Sequence, residues 1–179
     1  MKIFITGGCG FIGSNFILKS FESNHNKILN FDKLTYAGNT NNLKNIENNT
    51  NYKFVNGDIC NSKFLLNTII DFQPDIILHF AAESHVDRSI NDYTNFIETN
   101  IVGTANLLNA TLKYLNTSNI IDFKFIHIST DEVFGSIEDG SYFDEPTHFD
   151  YRFPIFGFIF MMYGIFIPGF IFCFSIPGF

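Results

Sequence analysis

The opening residues restrict the fold more than any other part of the chain. Lys2–Thr6 (KIFIT) is a short apolar run, the mark of a buried strand, and it breaks directly into Gly7-Gly8-Cys9-Gly10-Phe11-Ile12-Gly13. Beyond Gly13, Phe16, Ile17 and Phe21 are spaced for one helical face. Strand, glycine turn and helix in that order open a βαβ unit, and the rest of the chain has to extend it.

The pattern then repeats. Lys27–Phe31 (KILNF) reads as a second strand ending at Asp32, and Tyr52–Val55 (YKFV) as a third, closed by Asn56-Gly57-Asp58. Phe64, Leu65, Thr68, Ile69 and Phe72 suit a helix that Pro74 terminates. Asp75–Ala82 (DIILHFAA) has the character of a fully buried strand, residues 95–115 show helical periodicity, and Phe123–Ser129 (FKFIHIS) reads as a further strand. The Asn-rich stretch 39–51 reads as a surface loop with a helical piece. Strands alternating with helix-sized patterns call for a parallel sheet covered on both faces, so the class is α/β with a doubly wound sheet. A length of 179 residues favours one domain, residues 1–150, followed by an unlike tail.

The glycines at 7, 10 and 13 allow a tight turn, close approach of backbone to a pyrophosphate, and close packing of helix on strand. The helix start would then face the phosphates with unserved N–H groups and the positive end of its dipole. Asp32 lies nineteen residues past Gly13, at the end of the second strand, where a carboxylate accepts hydrogen bonds from an adenosine ribose and repels a 2′-phosphate. NAD is therefore expected over NADP. Asp58, after the third strand, could reach the adenine amino group; on its own Gly57-Asp58-Ile59 reads equally well as a strand-ending turn.

Ser129-Thr130-Asp131-Glu132 falls at the carboxyl end of the strand from Phe123, the sheet edge at which ligands of open α/β folds sit. Two adjacent carboxylates beside a hydroxyl suit acid and base work, although such a pair by itself reads equally as the cap of a turn. GGCGFIGSN at 7–15, DKLTYAGN at 32–39, GDI at 57–59, HFAAESHVDRSI at 79–90, ETNIVGT at 98–104 and STDEVFGS at 129–136 occur in one order and spacing. With these motifs the chain resembles the extended short-chain dehydrogenase/reductase family of NAD-dependent epimerases and dehydratases. Within that family it is similar to the nucleotide-sugar 4,6-dehydratases, with DKLTYAGN and AAESHVDRSI closer to the dTDP-glucose group than to the UDP-glucose group.

The resemblance implies a Rossmann-type domain and a dehydration of dTDP-glucose to its 4-keto-6-deoxy sugar. Hydride leaves C4 for NAD⁺, Glu132 takes the C5 proton, Asp131 protonates the departing C6 hydroxyl, and the hydride returns to C6. Thr130 completes the implied catalytic set, and Thr130 with Ser84 would hydrogen-bond the substrate. Carried over motif by motif, the implied cofactor contacts are Gly7, Gly10, Phe11, Ile12 and Gly13 at the turn, and Asp32, Lys33, Leu34 and Thr35 at the ribose. Asp58 and Ile59, Phe80, Ala81, Ala82, Glu83 and Ser84, and Thr99 complete them. A homodimer through helices of this domain is implied in the same way.

One departure bears on activity. The family's proton-accepting tyrosine and its lysine, four residues apart, fall in register on Ile155 and Ile159 within Arg152-Phe153-Pro154-Ile155-Phe156-Gly157-Phe158-Ile159. An isoleucine accepts no proton, so the oxidation step lacks its base. From Tyr151 onward Arg152 is the sole charged residue and nine of the 24 phenylalanines are found there. Three readings stay open for this aberrant apolar tail, 151–179: a damaged or mistranslated continuation of an N-terminal fragment, a membrane segment (153–176 is long enough), or a variant that binds NAD without turnover. Eleven Lys+Arg against 18 Asp+Glu offer no footprint for nucleic acid. Cys9, Cys60 and Cys173 lack metal-ligand spacing, as do His79, His85 and His127, so no metal is expected. Unpaired cysteines and a start without a signal-peptide pattern suggest a cytoplasmic setting.

Overall fold

Successive strand residues point to opposite faces of a sheet, so a strand that is apolar throughout has to be covered on both. The computed structural model describes residues 1–23, 26–83, 93–118, 120–129 and 170–173. Strands β1 (Lys2–Thr6), β2 (Lys27–Asp32), β3 (Tyr52–Asn56), β4 (Ile76–His79), β5 (Lys124–Ile128) and β6 (Phe170–Cys173) form one sheet in the order β3-β2-β1-β4-β5-β6. Each pairing is parallel, with Ile3 opposite Ile28 on one side of β1 and opposite Ile76 on the other. The winding runs outward from β1 to β3, returns to β1 for β4, and runs outward again. This is the doubly wound, Rossmann-type arrangement, with its switch point between β1 and β4.

Helix α1 (Phe11–Ser23) and a short 3₁₀ helix (Thr40–Ile46) are matched by one half of the core, and α2 (Ser62–Phe72) and α4 (Thr104–Thr117) by the other. Ile3, Ile5, Ile28 and Leu78 pack with Ile17 and Leu43, whereas Phe4, Leu29, Phe31 and Ile77 pack with Leu65, Ile69, Leu107 and Tyr114. The period-two alternation along β1 and β2 thus splits the core into two layers. Asn61 caps α2 by accepting from the Phe64 N–H at 3.2 Å. Left-handed Gln73 (φ 55°) ends that helix ahead of Pro74.

Two elements differ from the sequence reading. The apolar run 75–82 keeps ladder geometry only over Ile76–His79. Its last rung is the Phe80 N–H donating to the Thr6 carbonyl at 3.0 Å, after which the chain leaves the sheet edge. The helical run over 93–117 is three pieces: α3 (Tyr93–Phe96), a wide π-type stretch (Ile97–Gly103), and α4. In the wide stretch Gly103 lies against Ile59, where an added Cβ would come within 2.6 Å of the side chain. From the tail, residues 170–173 add a parallel edge strand on β5. Among the described residues, no helix is long and apolar enough to cross a membrane.

Phe4 has no exposed surface and stacks on Phe31 at 5.7 Å between ring centroids. Phe4→Ala is expected to cost about 3–5 kcal/mol in denaturant unfolding, the usual cost of emptying such a site.

Candidate functional site

Parallel strands deliver their carboxyl ends to one edge, and at the switch point the two flanking loops part to leave a crevice. The crevice here lies beyond Thr6, Asp32, Asn56 and His79, at the ends of β1–β4. Twelve of the seventeen residues expected to touch a cofactor line it. They are Gly7 and Gly10 from the turn, Asp32, Lys33 and Thr35 after β2, Asp58 and Ile59 after β3, Phe80, Ala81, Ala82 and Glu83 after β4, and Thr99 from the wide helical stretch.

The glycine turn is shaped by absence of side chains. Gly7 is left-handed at φ 71°, and a Cβ on it would stand 2.5 Å from the Ala81 nitrogen. At Gly13 a Cβ would stand 2.5 Å from the Gly7 carbonyl oxygen, so the start of α1 can pack directly on the end of β1. A Cβ on Gly10 would meet only the Gly7 oxygen, at 3.3 Å, and Gly10 lines the cleft. Leading N–H groups of an α-helix have no carbonyl within it to serve, which suits this corner to an anion.

Asp32 is buried at the crevice wall and braces two segments. Its Oδ2 accepts from the Cys9 N–H at 2.8 Å and its Oδ1 from the Leu34 N–H at 2.8 Å. Each oxygen keeps a second lone-pair direction, so a ribose diol can still be accepted. Leu34 adopts φ 57°, unusual for a branched side chain, and this tight turn is what brings its N–H back onto Asp32. Across the mouth, Lys33 Nζ pairs with Asp58 Oδ2 at 2.7 Å, and Asp58 Oδ1 accepts from the Cys60 N–H at 2.8 Å. Burial pushes the Asp58 carboxyl up, but Lys33 and the Cys60 N–H outweigh it and hold the carboxyl below its usual range.

Beneath the crevice His79 joins three elements. One ring nitrogen meets the Thr6 hydroxyl at 2.7 Å and the other the Thr104 hydroxyl at 2.9 Å, and the Ala81 N–H donates to Thr6 Oγ1 at 3.4 Å. Full burial, with His127 next to it at 4.8 Å between centroids, drives the His79 pKa well below its ordinary value. A neutral ring donates from one nitrogen and accepts at the other, which matches two hydroxyl partners. Burial lowers His127 as well, to about 4. Among the described residues no group of acidic, cysteine and histidine side chains could hold a metal.

Four expected cofactor residues among the described ones are not on the crevice wall. Phe11 and Ile12 are 75% and 59% exposed, Gly13 is packed under the turn, and Leu34 contributes its backbone to Asp32. Ser84 lies outside the described residues, as do Thr130, Asp131 and Glu132. Strand β5 runs parallel to β4 and leads to Ser129 at the same edge. Phe31, Ala37, Gly38 and Gly57 line the crevice without having been singled out. Gly38 and Gly57 stand inside motifs already noted, and a Cβ on Gly57 would strike the Phe31 ring. Also unforeseen is Asn100, whose amide accepts from the Glu83 N–H at 2.8 Å and donates to the Glu83 carbonyl at 2.9 Å.

A family model described as GDP-mannose 4,6 dehydratase matches residues 4–154. The chain is 51% identical over 140 residues to a dTDP-glucose 4,6-dehydratase of Escherichia coli, an overlap covering 76% of this chain and 39% of that protein. The crystal structure of a dTDP-glucose 4,6-dehydratase from Bacillus anthracis in complex with NAD superposes with a TM-score of 0.71 at 42% identity, over 84% of this chain and 44% of that one. A dTDP-glucose 4,6-dehydratase from Streptomyces venezuelae, with NAD and TYD bound, gives a TM-score of 0.72 at 39% identity, over 84% and 45%. The chain thus spans less than half the length of these relatives.

Two predictions follow from the geometry. Gly7→Ala combines a left-handed φ with a backbone clash and is expected to cost about 2 kcal/mol or more, read by denaturant unfolding. The depressed histidines set a pH dependence. An unfolded chain protonates His127 near 6.5, whereas the folded chain resists until about 4, so the unfolded state binds more protons across that interval. Stability is therefore full above the upper value and declines as pH falls toward the lower one. His127→Gln should flatten that decline in thermal melts.

Proposed function

The chain belongs to the GDP-mannose 4,6 dehydratase family, and on that premise we propose that residues 1–150 are the NAD-binding, carboxylate-bearing part of a dTDP-glucose 4,6-dehydratase. The carrying observation is the crevice at the switch point, in which a glycine corner without room for side chains faces an anchored carboxylate, Asp32.

The residues present fit a dinucleotide. The backbone of Gly7 and Gly10 with the start of α1 would cradle the pyrophosphate. Asp32 would accept from the adenosine ribose, and Asp58 and Ile59 would border the adenine. Ala81, Ala82, Glu83 and Thr99 would flank the remaining length. When bound, NAD would supply a hydride acceptor and donor at the sugar. The chain's own contribution is to fix that cofactor: the Asn100 clamp on Glu83 and the His79 bridge hold the two walls of the crevice together. Asp131 as acid, Glu132 as base, and Thr130 and Ser84 on the substrate rest on the match of STDEVFGS and HFAAESHVDRSI to the family.

For the polypeptide as it stands, one sequence observation favours binding without turnover: Ile155 and Ile159 occupy the positions of the family's tyrosine and lysine. UDP-glucose remains the alternative substrate. A homodimer and a nucleotide-sugar partner belong to the same reading. So does a cytoplasmic setting, with which the free thiols Cys9 and Cys60 agree.

Isothermal titration with NAD provides the test. Binding by the full chain that is weakened about tenfold or more by Asp32→Ala is expected, since that variant removes hydrogen bonds to a charged group at the ribose and the brace on Cys9 and Leu34. Absence of NAD binding would overturn the reading. With dTDP-glucose and NAD supplied, no 4-keto-6-deoxy product is expected; its appearance would overturn the inactive assignment.

A further inference from the structure

Two neighbours at the end of β2 carry opposite instructions. A carboxylate there accepts a ribose hydroxyl and repels a 2′-phosphate, whereas a cation near it is what admits that phosphate. Asp32 gives the first instruction and Lys33, the next residue, would give the second. The expectation of NAD drawn from Asp32 leaves the effect of Lys33 unaccounted for.

The fold turns Lys33 elsewhere. Its Nζ lies 2.7 Å from Asp58 Oδ2, on the loop after the neighbouring strand β3. Asp58 is itself fixed, because its other oxygen accepts from the Cys60 N–H at 2.8 Å. The loop bearing it is held from behind by Asn106 Nδ2, which donates to the Ile59 and Cys60 carbonyls at 3.3 and 3.2 Å. Asp32, Lys33 and Asp58 all border the crevice.

We propose that Asp58 is a dinucleotide-specificity residue: by pairing with Lys33 it withholds the ammonium from a 2′-phosphate and leaves the charge of Asp32 unopposed at the ribose. The inference rests on the reading of the crevice as a dinucleotide site and adds to it the residue that keeps a nearby cation from admitting NADP. Both partners are charged at neutral pH. The hydrogen bond to Asp58 raises Lys33; burial raises Asp58 but is outweighed by its bonds to Lys33 and the Cys60 N–H, which leave it below its ordinary value. Side-chain exposures of 51% for Lys33 and 30% for Asp58 mean that water screens the pair, so the effect is several-fold rather than absolute.

The experiment measures NAD and NADP dissociation constants by isothermal titration for the full chain and for Asp58→Asn, Lys33→Met and the double variant. Asparagine keeps an acceptor for the Cys60 N–H, and any lost adenine contact weakens both dinucleotides alike, so the ratio of the two constants is the readout. Asp58→Asn is expected to shift the ratio about fivefold toward NADP. Lys33→Met alone should move it by less than about twofold, and most of the Asp58→Asn gain should vanish in the double variant. The proposal is overturned if Asp58→Asn leaves the ratio unchanged, if the gain is the same without Lys33, or if Lys33→Met alone costs NADP affinity selectively. Failure of every variant and the parent to bind either dinucleotide would instead overturn the dinucleotide site itself, and this proposal with it.

Discussion

Everything at the carboxyl edge of the sheet is arranged around the contact between Gly7 and the backbone of Ala81. Strands β1 and β4 lie side by side, and the chain leaving each has to turn in a different direction, because this is where the winding reverses. A residue with a Cβ at position 7 would hold the two loops apart, since the atom would stand 2.5 Å from the Ala81 nitrogen. With glycine there, Gly7 adopts its left-handed φ and donates to the Phe31 carbonyl at 3.1 Å, while Phe80 donates to Thr6 at 3.0 Å. The floor of the crevice is therefore backbone, close enough for a phosphate to meet N–H groups rather than side chains.

A backbone floor needs walls that do not drift, and buried polar groups supply them. His79 spans Thr6 on β1 and Thr104 on α4, so the strand that begins the crevice and the helix that closes it share one ring. Asn100 engages both the N–H and the carbonyl of Glu83, as a neighbouring strand would, where β4 has already left the sheet. Asn106 Nδ2 donates to the Ile59 and Cys60 carbonyls in the loop after β3. The two asparagines stand in for missing backbone partners at points where the ladder has ended and half-buried peptide groups would otherwise lack one. Asn30 shows the limit of such satisfaction. Its Nδ2 serves Cys9 Sγ and Tyr52 Oη, while its Oδ1 has no partner among the described groups.

Apolar runs made most of this legible in advance. KIFIT and KILNF are buried on both faces and leave no choice but a covered parallel sheet, and the glycine spacing with Asp32 marks the crevice by the roles of individual residues. What escaped the sequence is of two kinds. The strand from Asp75 was read through Ala82 because Phe80, Ala81 and Ala82 are as apolar as the strand itself, yet their place is set by the turn away from β1 and not by hydropathy. The wide helical stretch escaped because seven residues make fewer than two turns, too few for a change of period to show in the apolar pattern. Side-chain partnerships between distant segments, such as Lys33 with Asp58 and Asn100 with Glu83, follow only from the strand order, which brings the loops after β2, β3 and β4 to one edge. Gly38 and Gly57 were within reach, since both lie in motifs already singled out.

The separation between holding and reacting follows from where the core ends. Among the described residues, the layers that shape the crevice draw on β1, β2 and β4 with α1, α2 and α4, and they extend to Phe125 and Ile126 on β5. The members of both layers, among the described residues, lie between Ile3 and Ile126. Strand β6 pairs with β5 on the edge of the sheet away from the switch point. The glycine corner and Asp32 thus lie in a different stretch of the sequence from the carboxylates at 131 and 132 and from positions 155 and 159.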